Sequence, residues 1–169
     1  MKNSSIGRLR MVLIAAIAIV IGVSVYAWLR PSPAAFLPAA WHSPGRYPSL
    51  IAATAAFPTF VHALAMPLLT VALLRLDRAS GIAATCAAWC AVEIVFEVVQ
   101  HRGIGRSLLA RLPAAVADSG AGASFANFVR SGTFDPLDVA AAVLATATAY
   151  AIAMRATRHV SRSREITHV

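Results

Sequence analysis

The sequence predicts an all-α integral membrane protein, a helical bundle of about four transmembrane helices. The 169-residue chain is 59% hydrophobic and only 13% charged, whereas soluble domains have about 45–50% apolar and about 25% charged residues. The apolar residues gather in runs that are long enough to cross about 30 Å of hydrocarbon. No alternating apolar and polar segments typical of a transmembrane β-barrel are evident.

The net charge is +8 and the isoelectric point is about 11.0, and such a basic chain is a candidate for nucleic-acid binding. Its basic residues, however, stand at the ends of the apolar runs, where membrane topology places them. We therefore predict membrane lipids with acidic headgroups as the partners of this charge, and no nucleic acid.

The first predicted span covers residues 11–29, which carry no charge and are flanked by basic residues. Their number suffices for a transmembrane helix, and we expect residues 1–30 to form a retained membrane anchor. A cleaved signal peptide is the alternative, because Val25-Tyr26-Ala27 resembles a cleavage site. The apolar run is longer than the usual ~7–15 residues of a signal peptide.

Three further apolar runs complete the predicted bundle. The second covers residues 49–74 and contains two prolines. We expect a kinked helix or a late start, with Pro58 in the first turn. The third run covers residues 82–100, and the fourth covers residues 134–154.

The segments between these runs are polar or broken by proline and glycine. We predict a loop over residues 31–47 and a longer connection over residues 101–133, of which 106–112 are expected on the membrane surface. The predicted organisation is thus the anchor, a membrane core over residues 50–155 and a basic cytoplasmic tail over 156–169, expected to be disordered.

The Lys and Arg residues predict that both termini are cytoplasmic, because positive charge accumulates on that side. The cytoplasmic segments would then hold Lys2, Arg8, Arg10, Arg75, Arg78, Arg155, Arg158, Arg162 and Arg164. The longer outer segments would hold Arg30, Arg46, Arg102, Arg106, Arg111 and Arg130.

Polar residues of the third span form one stripe. Glu93, Glu97 and Gln100 follow each other at spacings of four and three residues, which places them on one helix face together with Cys86 and Cys90. Insertion of an acidic residue near a helix centre costs about 2.5–3.5 kcal/mol. We therefore expect the stripe to face other helices or a water-filled cleft, and we interpret the cysteines as small apolar filler.

The alternating direction of the spans predicts one polar pocket near the outer face. The second and fourth spans contribute polar residues from their first turns, and the third span contributes them from its end. The long connection could cover the pocket and supply arginine. Its predicted members are His62, Glu93, Glu97, Gln100, Arg106, Asp135 and Asp138.

Some of these residues also fit purely structural roles. Asp135 before Pro136 is a favourable helix N-cap. Asp138 would lie in the first turn, where the helix dipole favours an anion. His62 could be a buried, hydrogen-bonded histidine.

Three motifs in this order resemble those of the VanZ-like membrane proteins. They are PTFVHALA with His62, EVVQHRGIGR with Glu97, Gln100 and Arg106, and GTFDPLDV with Asp135 and Asp138. The resemblance covers about residues 50–155 and implies a multi-helix bacterial cell-membrane protein. The family's name comes from a protein associated with resistance to the glycopeptide teicoplanin.

One part of the pattern differs. Family members often carry Asn and then Gly on the face that follows the second Asp, where this chain has Ala142 and Ala145. These residues are small enough to permit close helix packing.

The resemblance favours a binding protein, whose partner would be a lipid-linked envelope precursor or a glycopeptide. An intramembrane enzyme and a proton-coupled transporter, acting on a lipid-linked substrate, are the alternatives, because histidine and carboxylates can move protons. A structural role, in which the stripe only fixes helix packing, is also open. We assign no catalytic residue, metal or cofactor.

Overall fold

The computed structural model describes residues 2–28 and 54–165. The loop predicted over 31–47 and the last part of the predicted tail, 166–169, lie outside these ranges. Within them the regular structure is helical, and the helices are α1 (Lys2–Trp28), α2 (Phe57–Leu73), α3 (Ala79–Gln100), α4 (Arg102–Ala110), α5 (Ala114–Ala117), α6 (Gly120–Ser131) and α7 (Pro136–Glu165).

Among the described residues, three helices are long and apolar enough to cross a membrane. The qualifying segments are Ser5–Val25 in α1, Ala79–Gln100 in α3 and Pro136–Thr157 in α7. These helices indicate a membrane-embedded protein, and the all-α prediction is confirmed for the described residues.

The second predicted span is a shorter apolar helix. α2 begins at Phe57 with Pro58 in its first turn, so the predicted late start is confirmed. A proline fits there because the first N–H groups of a helix have no intrahelical acceptor. The 17 residues of α2 extend over about 25 Å at 1.5 Å per residue.

The last helix is longer than expected. Residues 156–165, expected as part of a disordered tail, continue α7 as a helix, so the expectation of disorder is wrong for them. After Pro136 this helix contains neither proline nor glycine and is rich in alanine, which favours an uninterrupted helix.

The centre of the bundle is the pair of α2 and α7. Both α1 and α3 pack on this pair, and they make no extended contact with each other. The helices are held together mainly by apolar side chains. The most deeply buried of the large ones are Met11, Pro67, Leu68, Val71 and Ile82.

Alanine residues form a second, smaller cluster between α2 and α7. Ala63, Ala142 and Ala145 are each 0% exposed and pack together. Because alanine has no side chain beyond Cβ, the two helix backbones can approach closely. The close packing expected for Ala142 and Ala145 is therefore confirmed.

Glycine contacts fix the direction of α1. A Cβ on Gly7 would lie 2.7 Å from the Ala156 carbonyl oxygen, and one on Gly22 would lie 2.6 Å from Val61 Cγ2. The start of α1 thus lies beside the distal part of α7, and its end lies beside the start of α2. Helices α1 and α2 are antiparallel, as are α1 and α7.

We expect Gly7→Ala to destabilise the bundle, because its methyl group would collide with the backbone of α7. Overpacking typically costs about 1–3 kcal/mol, against a helix-propensity gain of about 1 kcal/mol. Thermal unfolding of the full chain in detergent measures the difference. Gly120→Ala is the matched control, since nothing lies within 4 Å of the added atom. Equal melting temperatures for Gly7→Ala and wild type would contradict the close approach.

Candidate functional site

The polar stripe of α3 faces its neighbours in the bundle, as the sequence predicts. Glu93 and Glu97 are each 7% exposed, and the helix that carries them packs on α2 and α7. Cys86, nearer the start of α3 on the same stripe, is also buried, and Cys90 is partly buried. Two ionisable side chains therefore lie on the buried face of a largely apolar helix.

Glu93 contacts a histidine of the neighbouring helix. Its Oε1 lies 2.5 Å from Nδ1 of His62 in α2. The two side chains differ in exposure, since 51% of the His62 side chain is exposed and only 9% of the Glu93 side chain. The pair thus forms a polar contact between α2 and α3, in which Glu93 is covered and the His62 imidazole is partly exposed.

A tryptophan extends this polar contact along α2 and α3. The ring of Trp89, one turn before Glu93, meets the imidazole of His62 edge-on at 6.3 Å between centroids. Its Nε1–H donates a hydrogen bond to Thr70 Oγ1 at 3.0 Å. Trp89 was not predicted as part of the site, although its spacing of four residues from Glu93 places both on one helix face.

Glu97 meets the start of α7. Its Oε2 accepts a hydrogen bond from the backbone N–H of Asp135 at 3.4 Å. The carboxylate of Asp135 accepts one from the N–H of Leu137 at 2.9 Å. The predicted N-cap is therefore confirmed, and α3 is joined to α7 at the cap.

Several carboxylates lie close to Glu97 at this end of the bundle. Asp138, in the first turn of α7, has a buried Oδ1 atom. Its charge acts on Glu97, as do those of Asp135 and Glu93. Because like charges repel at short range, such a group favours a cation or a hydrogen-bond donor as its partner. The arrangement is named the acidic recess, and its members are His62, Glu93, Glu97, Asp135 and Asp138.

Gln100 and Arg106 lie along a different space. Both line a cavity of about 490 Å³ between the end of α3, α4 and α6. The Gln100 amide packs so closely on Gly132 that a Cβ there would collide with it, and its Nε2 donates to the carbonyl oxygen of Phe96 at 3.4 Å. The seven candidate residues are therefore divided between the acidic recess and this arginine cavity.

Two more arginines line the arginine cavity, Arg102 from α4 and Arg130 from α6. The sequence signal for Arg102 was its spacing of four residues from Arg106, which places both on one helix face. Arg130 carried no such signal, because α6 is brought beside α4 only by the tertiary fold. Across residues 2–28 and 54–165, no group of three or more His, Cys, Asp or Glu residues is arranged to hold a metal ion.

No family model, curated protein or solved structure matches this chain. The resemblance to VanZ-like proteins is thus carried by the three sequence motifs alone.

We expect the contact between His62 and Glu93 to stabilise the bundle, as a double-mutant cycle of His62→Ala and Glu93→Gln will show. Coupling should be about 1 kcal/mol, within the range for interhelical polar contacts in membranes. The measurement is reversible unfolding in mixed micelles. Asp77→Asn, at the other end of α3, is the control partner, and its effect should add to that of His62→Ala. Additivity of His62→Ala and Glu93→Gln themselves would refute the contact.

Proposed function

We propose that this chain is a VanZ-like protein of the bacterial cell membrane with four transmembrane helices and both termini in the cytoplasm. The acidic recess would then lie near the outer face and bind the polar head of an amphiphile, a lipid-linked envelope precursor or a glycopeptide. The biological role consistent with the motifs is protection of the cell envelope against teicoplanin.

The four-span topology is supported by the direction of the helices. Gly7 and Ala156 are neighbours, and the short turn over residues 74–78 joins α2 to α3. These segments share one end of the bundle and hold basic residues. The acidic recess lies at the opposite end, where α3 ends and α7 begins. The positive-inside rule supports an outer position for the acidic recess.

The observation that carries the proposal is the burial of Glu93 and Glu97 in an apolar helix. Ionisable residues at membrane depth are costly and mark ligand or ion pathways. The charges of three further carboxylates, those of Glu93, Asp135 and Asp138, act on Glu97. A group of this kind can accept hydrogen bonds from the hydroxyl, amide and amine groups of a glycopeptide or glycolipid head.

An intramembrane enzyme or proton-coupled transporter acting on a lipid-linked substrate is the second candidate. It is favoured by the contact of His62 with Glu93, because an imidazole beside a carboxylate can accept and release protons. Product formation from a lipid-linked substrate, or uptake into proteoliposomes driven by a proton gradient, would support it over simple binding.

Topology can be tested with single cysteines on a background without Cys86 and Cys90. We expect Asp118→Cys, between α5 and α6, to react with a membrane-impermeant maleimide in intact cells. Asp77→Cys, in the turn between α2 and α3, should react only after permeabilisation. Both native side chains are exposed. Labelling of both positions in intact cells would contradict a transmembrane α3, and the inverse pattern would reverse the orientation.

The proposed role predicts that Glu97→Gln and Asp138→Asn abolish protection against teicoplanin in a sensitive host. Each change removes a charge while keeping the shape of the side chain, so the bundle should still form. Susceptibility is measured at membrane levels matched by immunoblot, with cells lacking the protein as the baseline. Asp77→Asn is the control and should protect like wild type.

Two results would separate the alternatives. Wild-type protection that persists in Glu97→Gln and Asp138→Asn would remove the acidic recess from the activity. Loss of protection together with loss of membrane protein would assign these carboxylates to folding.

A further inference from the structure

The arginine cavity is a second polar feature at the same end of the bundle, distinct from the acidic recess. Its volume is about 490 Å³, and three arginines line it, Arg102, Arg106 and Arg130. Arg102 and Arg106 project from one face of α4, whereas Arg130 belongs to α6. Gln100 and Thr133 add uncharged polar groups to the lining.

Among the described residues, the ion pair within 4 Å joins His62 to Glu93 in the acidic recess. No described carboxylate forms such a pair with these three arginines. Residues 29–53 and 166–169 contain neither Asp nor Glu. Three arginine residues therefore line one space without an acidic partner among the described residues.

Close backbone packing gives the arginine cavity a defined wall. A Cβ on Gly105 would lie 2.6 Å from the carbonyl oxygen of Val99 in α3 and 2.5 Å from Val129 in α6. Helix α4 is thus pressed against both neighbours at the point between its two arginines. Gly132 is similarly close to Gln100. The cavity is bounded by α3, α4 and α6, which contact one another closely.

We propose that the arginine cavity binds a phosphate group carried by a membrane lipid headgroup. Guanidinium groups bind phosphate through two parallel hydrogen bonds and stay charged at any physiological pH. Three such groups repel each other until an anion lies between them. A volume of about 490 Å³ is within the ~300–1,000 Å³ range of small-molecule sites.

Exposed apolar side chains elsewhere on α4 and α6 favour a lipid as the source of the phosphate. Ile104 and Leu108 on α4 and Phe128 on α6 are 46%, 37% and 36% exposed. A helix with arginines on one side and exposed apolar side chains on another is suited to the membrane interface. A lipid at such an interface would place its phosphate among the arginines.

The test is native mass spectrometry of the full chain in detergent, titrated with phosphatidate or, as a lipid of lower negative charge, phosphatidylcholine. We expect phosphatidate to bind selectively. Arg106→Gln and Arg130→Gln should each weaken its binding about tenfold, since each removes a charge-assisted contact. Arg106→Lys keeps the charge but loses the planar fork, and should fall between Arg106→Gln and wild type.

Arg111→Gln is the matched control. Arg111 ends α4, is exposed and lies outside the cavity lining, so its substitution should leave phosphatidate binding unchanged. A uniform loss in all three Gln variants would indicate diffuse attraction to positive charge and overturn the site. Equal binding of both lipids by the wild type would overturn it as well. All variants are compared at equal monodispersity.

Inorganic pyrophosphate distinguishes the two sources of phosphate. If it displaces phosphatidate only partly, the lipid chains contribute and the lipid source is supported. If it binds as tightly, with the same dependence on Arg106 and Arg130, the site is a phosphate site for a soluble compound and the lipid source is overturned. Neither result depends on Glu97 or Asp138, so it leaves the proposed role of the acidic recess to its own test.

Discussion

The alanine contact between α2 and α7 is the constraint on which the rest of the structure depends. Ala63, Ala142 and Ala145 are fully buried, and their small side chains allow the two helices to form a narrow central pair. Helix α3 packs on both members of this pair. It can therefore place Glu93 beside α2 and, one turn later, Glu97 beside the start of α7. A bulkier contact would separate α2 from α7 and deny α3 one of these two partners.

The division of charge between the acidic recess and the arginine cavity follows from side-chain length. A carboxylate on a short stem cannot reach water from inside a bundle, so Glu93 and Glu97 depend on partners from α2 and α7. Arginine carries its charge on a long stem and can extend from an interfacial helix. The acids are accordingly buried, and Arg102, Arg106 and Arg130 are exposed on α4 and α6. Gln100, which packs on Gly132, lines the arginine cavity.

Hydropathy and helical spacing predicted much of the fold, because each depends on local sequence. The apolar runs, the start of α2 near Pro58, the inward stripe of α3 and the cap at Asp135 all belong to this class. The division of the candidate pocket was not predictable in this way. It depends on how α4 and α6 pack against the end of α3. This long-range arrangement brings Arg130 to the arginine cavity and places Gln100 in the lining of that cavity, outside the acidic recess. The continuation of α7 to residue 165 was not predicted, because the basic character of this segment is also typical of a disordered tail.

The geometry of His62 and Glu93 shows how a short helix can carry an exposed polar residue. Helix α2 is about 5 Å shorter than a hydrocarbon core of about 30 Å. His62 is the sixth residue of α2, about 8 Å from its start. The fold covers the Glu93 carboxylate and leaves about half of the His62 side chain exposed. Their contact gives each polar side chain a partner on two largely apolar helices.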